Sequence, residues 1–188
     1  MTEVKKVWRT YEQIVELPEG VTATSAKDTL TVKGPKGEIS KMMRFPRVYI
    51  KVDGNKIVIG TTKFTQSEKK IIHTYRAHAN NLIKGVTEGF TYKLKVVYAK
   101  FPMTVALKGN IVQVKNFLGE KVPRTLNVLP GVKVTISGED ITVEGINKES
   151  AGQVAGSIEK LTKISHFDRR VIQDGIFITE KPHVRYHE

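Results

Sequence analysis

Apolar and polar residues alternate along three short stretches in the first third of the chain: Leu30-Thr-Val-Lys33, Val48-Tyr-Ile-Lys-Val52 and Lys56-Ile-Val-Ile59. A period of two puts every second side chain on one face, the pattern of half-buried antiparallel strands, and Asp53-Gly54 between the last two supplies a tight turn. Behind them the period changes. Ile71, Ile72, Tyr75, Ala79, Leu82 and Ile83 recur at helical spacing, Thr65-Gln-Ser-Glu68 ahead of them spells a capping box, and Gly85 offers an end. The pattern predicts a sheet with one apolar face and a single helix covering it.

The same order then recurs. Thr31-Val-Lys-Gly-Pro-Lys-Gly-Glu38 is echoed by Gln113-Val-Lys-Asn-Phe-Leu-Gly-Glu120, with Lys33, Gly37 and Glu38 matching Lys115, Gly119 and Glu120 at a constant offset of 82. Val52-Asp-Gly-Asn-Lys-Ile-Val-Ile59 returns as Ile136-Ser-Gly-Glu-Asp-Ile-Thr-Val143 at an offset of 84, a drift that two extra loop residues explain. Asn147 is the second helix's candidate N-cap, and Ala151, Val154, Ala155, Ile158 and Leu161 form its stripe. Phe90-Thr-Tyr-Lys-Leu-Lys-Val-Val-Tyr98 alternates without a Gly or Pro break and reads as a connecting strand rather than a floppy linker. The expected fold is therefore α+β, a tandem duplication of a small unit of antiparallel strands packed against one helix. Its parts are an N-terminal repeat over residues 12–85, a connecting strand over 86–100, a C-terminal repeat over 101–181 and a tail over 182–188. Residues 1–12 and the end, Lys181-Pro-His-Val-Arg-Tyr-His-Glu188, lack periodicity and are expected to order only on a partner.

Charge adds a partner class. Thirty-one Lys and Arg against nineteen Asp and Glu give +12 and a pI near 9.8, which favours a polyanion, nucleic acid before an acidic membrane. The charge is uneven: residues 1–98 hold 18 basic and 9 acidic side chains, residues 99–188 hold 13 and 10. Bulk charge alone points to the N-terminal half. The absence of Cys removes disulfides, thiol nucleophiles and thiolate zinc sites, and fits a reducing compartment. No stretch approaches the roughly 20 apolar residues of a spanning helix, and Met1-Thr-Glu-Val-Lys-Lys lacks a signal peptide's apolar core, so the cytoplasm is favoured and no membrane partner is expected.

Catalytic constellations are hard to assemble from these residues. His73 and His78 share a helix but sit about 140° apart around its axis, so they do not bind one metal from one face. His183 and His187 have a metal-compatible spacing but lie past Pro182, in a tail without helical pattern. Acidic residues such as Asp53, Glu68, Glu139 and Asp140 flank turns and caps, and none forms an isolated carboxylate pair. Lys33-Gly-Pro-Lys-Gly37 resembles a phosphate-cradling loop only superficially, because no helix follows it, and a hairpin turn is the better reading. The expectation is no catalytic residue, no metal and no cofactor. RNA contact is better supported. Lysines alternate with apolar residues at Lys93, Lys95, Lys100, Lys108, Lys115 and Lys121, and Lys160, Lys163, His166, Arg169 and Arg170 gather where the second helix ends.

Several segments together carry a family likeness: Leu17-Pro-Glu-Gly-Val21, Val32-Lys-Gly-Pro-Lys-Gly37, His78-Ala-Asn-Asn-Leu-Ile-Lys-Gly-Val-Thr-Glu-Gly-Phe90, Asn116-Phe-Leu-Gly-Glu-Lys121 and Gln173-Asp-Gly-Ile-Phe177. On these the chain resembles, over roughly Tyr11 to Lys181, the large-subunit ribosomal protein family numbered six in bacteria and nine in eukaryotes. The Pro-rich, Lys-Gly-rich ending of the bacterial form is replaced by Phe167-Asp-Arg-Arg-Val-Ile-Gln-Asp-Gly-Ile-Phe177, which looks archaeal or eukaryotic, archaeal by preference.

The resemblance implies a structural protein of the large subunit. Its C-terminal copy would anchor to large-subunit rRNA near the stalk base and the sarcin–ricin loop, with other large-subunit proteins as neighbours and translation factors close by. On that model Asn116, Lys121, Arg124, Lys148, Gln153, Lys163, Arg169 and Arg170 are the candidates for rRNA contact, with Lys33, Lys36 and Lys41 of the N-terminal copy secondary. This sets placement above the bulk charge count, since folded RNA is recognised by shape as well as by phosphate neutralisation. Two other readings stay open at this level: a free RNA-binding module that docks transiently, and a hydrolase built on His73 or His78.

Overall fold

A computed structural model of the chain describes residues 10–99, 101–165, 167–168 and 170–182. They fall into two compact units, the first ending at Glu88 and the second beginning at Gly89.

The first unit contains β1 (Tyr11–Glu16), β2 (Thr22–Ala26), β3 (Thr29–Gly34), β4 (Gly37–Met42), β5 (Val48–Asp53), β6 (Lys56–Thr61) and α1 (Gln66–Thr87). The strands read from alternation as one sheet belong to two: a three-stranded sheet in the order β1-β6-β5 and another in the order β2-β3-β4, both antiparallel. The chain leaves the second sheet through Met43–Arg47, where Pro46 has no N–H to give a ladder and Arg47 takes a left-handed φ of 71°. Both sheets turn apolar faces toward α1. Leu30 and Val32 of β3, Ile57 and Ile59 of β6, and Ile72, Ala79 and Val86 of α1 are fully buried. Each such Ile or Leu contributes about 1.5–3 kcal/mol by leaving water, before chain entropy is set against it.

Local signals place α1's start but not its end. Thr65 is the extended N-cap, yet its hydroxyl donates to the Glu68 carboxylate instead of accepting a backbone N–H. Glu68 is itself buried, with Arg47 at 3.7 Å. Gly85 does not stop the helix. It is buried inside the last turn, and the left-handed residue past the end is Gly89, with φ 77°. Tyr11 and Glu12, read as part of an unstructured leader, are paired in β1 with Thr61 and Gly60.

The second unit repeats the first. It runs β7 (Phe90–Val97), β8 (Thr104–Lys108), β9 (Ile111–Lys115), β10 (Arg124–Asn127), β11 (Val132–Ser137), β12 (Asp140–Gly145), α2 (Lys148–Leu161) and β13 (Gly175–Glu180). Its sheets are β10-β9-β8 and β11-β12-β7-β13. The stretch expected to connect the copies is thus the opening strand of the second copy. β7 pairs β12 as β1 pairs β6, Phe90 facing Gly145 where Tyr11 faces Thr61. Alternation could not reveal this, because a strand in a sheet and a strand between domains have the same period. Asn147 caps α2 as its sequence suggested, its side chain accepting the Glu149 N–H at 2.9 Å. β13 is an addition: among the described residues the first unit has no fourth strand on β1.

The Lys33–Gly37 segment is a hairpin turn, with Gly34 opposite Gly37. Gly34 is required by close approach, since a Cβ there would sit 2.7 Å from Val86 Cγ2 and 3.1 Å from the Val86 carbonyl. Gly34→Ala should lower stability by about 1–3 kcal/mol in urea unfolding. Adding Val86→Ala should recover part of that loss beyond additivity. Strictly additive effects would show that the contact at Val86 is not the cause.

Candidate nucleic-acid interface

In the second unit the repeated hairpin is rebuilt. The two-residue turn between β3 and β4 becomes a longer loop between Lys115 and Arg124, including a 3-10 turn over Phe117–Gly119. Asn116 and Leu118 hold left-handed backbone there, with φ of 60° and 50°. Asn116 tolerates that conformation and donates its amide to the Pro102 carbonyl at 3.0 Å. Phe117 is buried in the core and anchors the loop.

Arg124, at the loop's exit, makes three kinds of contact at once. Its Nε and one terminal nitrogen donate to the two Glu120 oxygens at 2.8 and 2.5 Å. Its other terminal nitrogen donates to the Leu161 carbonyl at 2.7 Å, at the last turn of α2. Its guanidinium lies 4.4 Å from the Phe117 ring centre. A planar fork is needed for such a set, which Lys could not reproduce. The ion pair holds the Glu120 carboxyl below its ordinary range, hydrogen bonding from Arg124 being the main cause. Arg124 is thereby engaged inside the protein, and ties the Asn116–Lys121 loop to the end of α2.

Residues selected from the sequence flank both ends of that tie. Lys121 on the loop and Lys163 just past α2 are exposed, and neither they nor Lys160 has a carboxylate partner among the described residues. Lys160 and Lys163 also border an open cleft of about 760 Å³ whose walls include Val97, Ile164, Ile172 and Phe177. Its floor is held by buried polar groups. Asp174 accepts the Ala99 N–H at 2.9 Å, and Thr162 accepts the Ile176 N–H at 2.8 Å. Gln153 is exposed on the same face of α2 as Lys160, seven residues away.

Other selected residues are set apart. Lys148 opens α2, about 20 Å along the axis from its end, with its amine 5.9 Å from the Phe90 ring centre. Arg170 forms a two-pronged pair with Asp168, at 2.8 Å for its closest contact. Hydrogen bonding between the two lowers the Asp168 pKa and raises that of Arg170. Arg169 lies outside the described residues. In the first unit the three lysines do not form one patch. Lys33 alternates with buried Val32 and faces out, Lys36 bonds the Glu88 carbonyl, and Lys41 reaches His78 on α1 at 3.2 Å. The sequence reading missed Glu120 and Asp168 as partners of these arginines. The i, i+4 spacing of Glu120 and Arg124 was the available signal.

His73 bonds the Tyr11 hydroxyl at 3.1 Å and His78 faces Lys41, so the two histidines serve different contacts. Among the described residues no group of three His, Asp or Glu could hold a metal ion, and no helix is long and apolar enough to cross a membrane. The scaffold that carries these residues is a duplicated one, two α+β units of the same plan. The profile of the family described as ribosomal protein L6 matches residues 17–89 and 101–175, one segment in each unit. Among its relatives is the large ribosomal subunit protein uL6 of Methanosarcina mazei, 43% identical over 178 residues, covering 95% of this chain and 99% of that protein. The uL6 proteins of Methanocella arvoryzae and Saccharolobus solfataricus are each 45% identical over 168 residues, covering 89% of this chain and 95% and 93% of their own. The chain belongs to the ribosomal protein L6 family.

Arg124→Gln should cost about 1–2 kcal/mol, mainly through the Leu161 bond and the Phe117 stack, because the partly exposed Glu120 pair adds little. A carboxyl held below its ordinary range contributes stability that is present above that range and lost as pH falls through the lowered value. Acid unfolding of Arg124→Gln should therefore lack the Glu120 component, which NMR titration of Glu120 in both proteins measures. An unshifted Glu120 in the parent protein would contradict the geometry.

Proposed function

We propose that this chain is a structural constituent of the large ribosomal subunit, working in the cytoplasm as part of the ribosome and catalysing nothing. Membership of the L6 family and the naming of its relatives as large-subunit proteins support the reading. In finer detail, the second unit is the main rRNA-binding domain and anchors to large-subunit rRNA near the stalk base and the sarcin–ricin loop. Other large-subunit proteins are neighbours there, and translation factors are near without direct contact.

The observation that supports this reading is the Arg124 fork, which joins the loop bearing Lys121 to the end of α2, two residues before Lys163. Phosphates are bound by cations whose positions are fixed by the fold and whose charge is not spent on an internal partner. Lys121 and Lys163 meet both conditions. Asn116 acts by shaping the loop and Arg124 by holding it. Gln153, Lys148, Arg169 and Arg170 are further candidates for rRNA contact, and Lys33, Lys36 and Lys41 are secondary.

Substituting Lys121 and Lys163 by Gln should weaken binding to large-subunit rRNA and reduce the slope of log K against log salt by about 1 for each lysine. Changing Lys33, Lys36 and Lys41 to Gln should leave incorporation into subunits largely intact. If the N-terminal trio abolishes incorporation while the Lys121 and Lys163 pair does not, the first unit is the anchor and the assignment is reversed.

A further inference from the structure

The duplication exposes a difference between the copies. In the second unit β7 is flanked on both sides, by β12 and by the added strand β13. Beyond β13, the N–H groups of Ile176 and Ile178 are accepted by Thr162 Oγ1 at 2.8 Å and Glu159 Oε1 at 3.3 Å, so side chains of the α2 region cover that edge. In the first unit β1, the counterpart of β7, pairs only β6 among the described residues. The contacts α1 makes with it run through side chains, Arg76 to Gln13 at 3.1 Å and His73 to Tyr11 at 3.1 Å. An uncovered strand edge is a template for pairing.

The charges beside that edge are opposite in the two copies. The outward residues of β7 are Thr91, Lys93, Lys95 and Val97, and Lys93 meets Glu180 of β13 at 2.6 Å. The outward residues of β1 are Glu12, Ile14 and Glu16, with Ile14 54% exposed between the two carboxylates. Within the sheet Glu12 accepts the Tyr49 hydroxyl at 2.6 Å and Glu16 pairs Lys56 at 3.2 Å, both through Oε1. A second β1 laid antiparallel would oppose glutamate to glutamate, which disfavours self-pairing, and the same carboxylates repel phosphate. We infer that β1 takes an added strand from a neighbouring protein, an extended basic segment whose apolar residue covers Ile14 while flanking Lys or Arg side chains meet Glu12 and Glu16. Backbone pairing supplies affinity in this mode and the alternate side chains supply selectivity. This goes beyond rRNA anchoring by naming the strand edge that is covered and the chemistry of the segment that covers it.

The test uses the full chain and a synthetic peptide of alternating lysine and valine, followed by amide chemical shifts and hydrogen exchange. Because the chain carries +12, a basic peptide is repelled by most of its surface, so binding localised at β1 is informative. The expected result is fast exchange of the edge-facing amides of Tyr11–Glu16 in the chain alone, and slowing of those amides when the peptide is added. Glu12→Lys with Glu16→Lys should weaken this peptide about tenfold or more, as two favourable cross-strand pairs become unfavourable, and should admit a glutamate–valine peptide at the same amides. Should reversal disturb the sheet, Glu12→Gln with Glu16→Gln tests the same charges and should give a smaller loss. Edge amides already protected in the chain alone would show the edge filled by this chain's own residues and overturn the proposal. Peptide-induced changes confined to other strands, or indifference to both charge variants, would overturn it as well.

Discussion

Each unit depends on one burial event: the apolar stripe of a single helix closing over the inner faces of two small antiparallel sheets. Without a covering layer each small sheet leaves its apolar face in water, and an isolated helix of 14 residues such as α2 is marginal. Only their mutual burial makes either persist. Ile72, Ala79 and Val86 on α1, and Ala151, Ala155 and Ile158 on α2, are the fully buried positions through which this happens. Small residues recur there because sheet and helix approach closely, as they do where Gly34 meets Val86 and Gly145 meets Ala151.

Features encoded locally were legible in the sequence. The Asn147 cap, the Asp53-Gly54 turn and both helical stripes depend on residues a few positions apart, and the repeat shows that two units share one plan. What was missed depends on pairing between distant residues. Alternation marks Leu30–Lys33 and Val48–Val52 as strands, but nothing in their period assigns them to different sheets. Phe90–Tyr98 carries a strand's period whether it links domains or opens one. Gly85 was read as a helix stop because glycine is the commonest one, yet its burial in the last turn leaves that role to Gly89.

The candidate site shows the same division. Lysine-rich segments were visible, but the bond from Arg124 to Leu161 spans 37 residues, and no spacing rule reports that. The guanidinium selected as an RNA contact is engaged within the protein by Glu120, Leu161 and Phe117. Burial of Phe117 beneath it anchors the loop that carries Lys121, and Arg170 is engaged by Asp168 although it is exposed. Duplication then allowed divergence. One copy has a longer loop in place of the hairpin turn and adds β13, while the other has a two-residue turn and an acidic outer face on β1.

The central claim is that this chain is an integral part of the large ribosomal subunit, held by placed cations and by shape rather than by diffuse charge. Sedimentation of native extract through a high-salt sucrose gradient, following this chain against the large subunit, tests it most directly. High salt strips a protein attached through exposed, screened charges, but not one fixed by assembly and fit. Co-migration with the large subunit after the wash is the predicted result. Recovery of the chain at the top of the gradient would contradict the account and point to a module that docks on RNA only transiently.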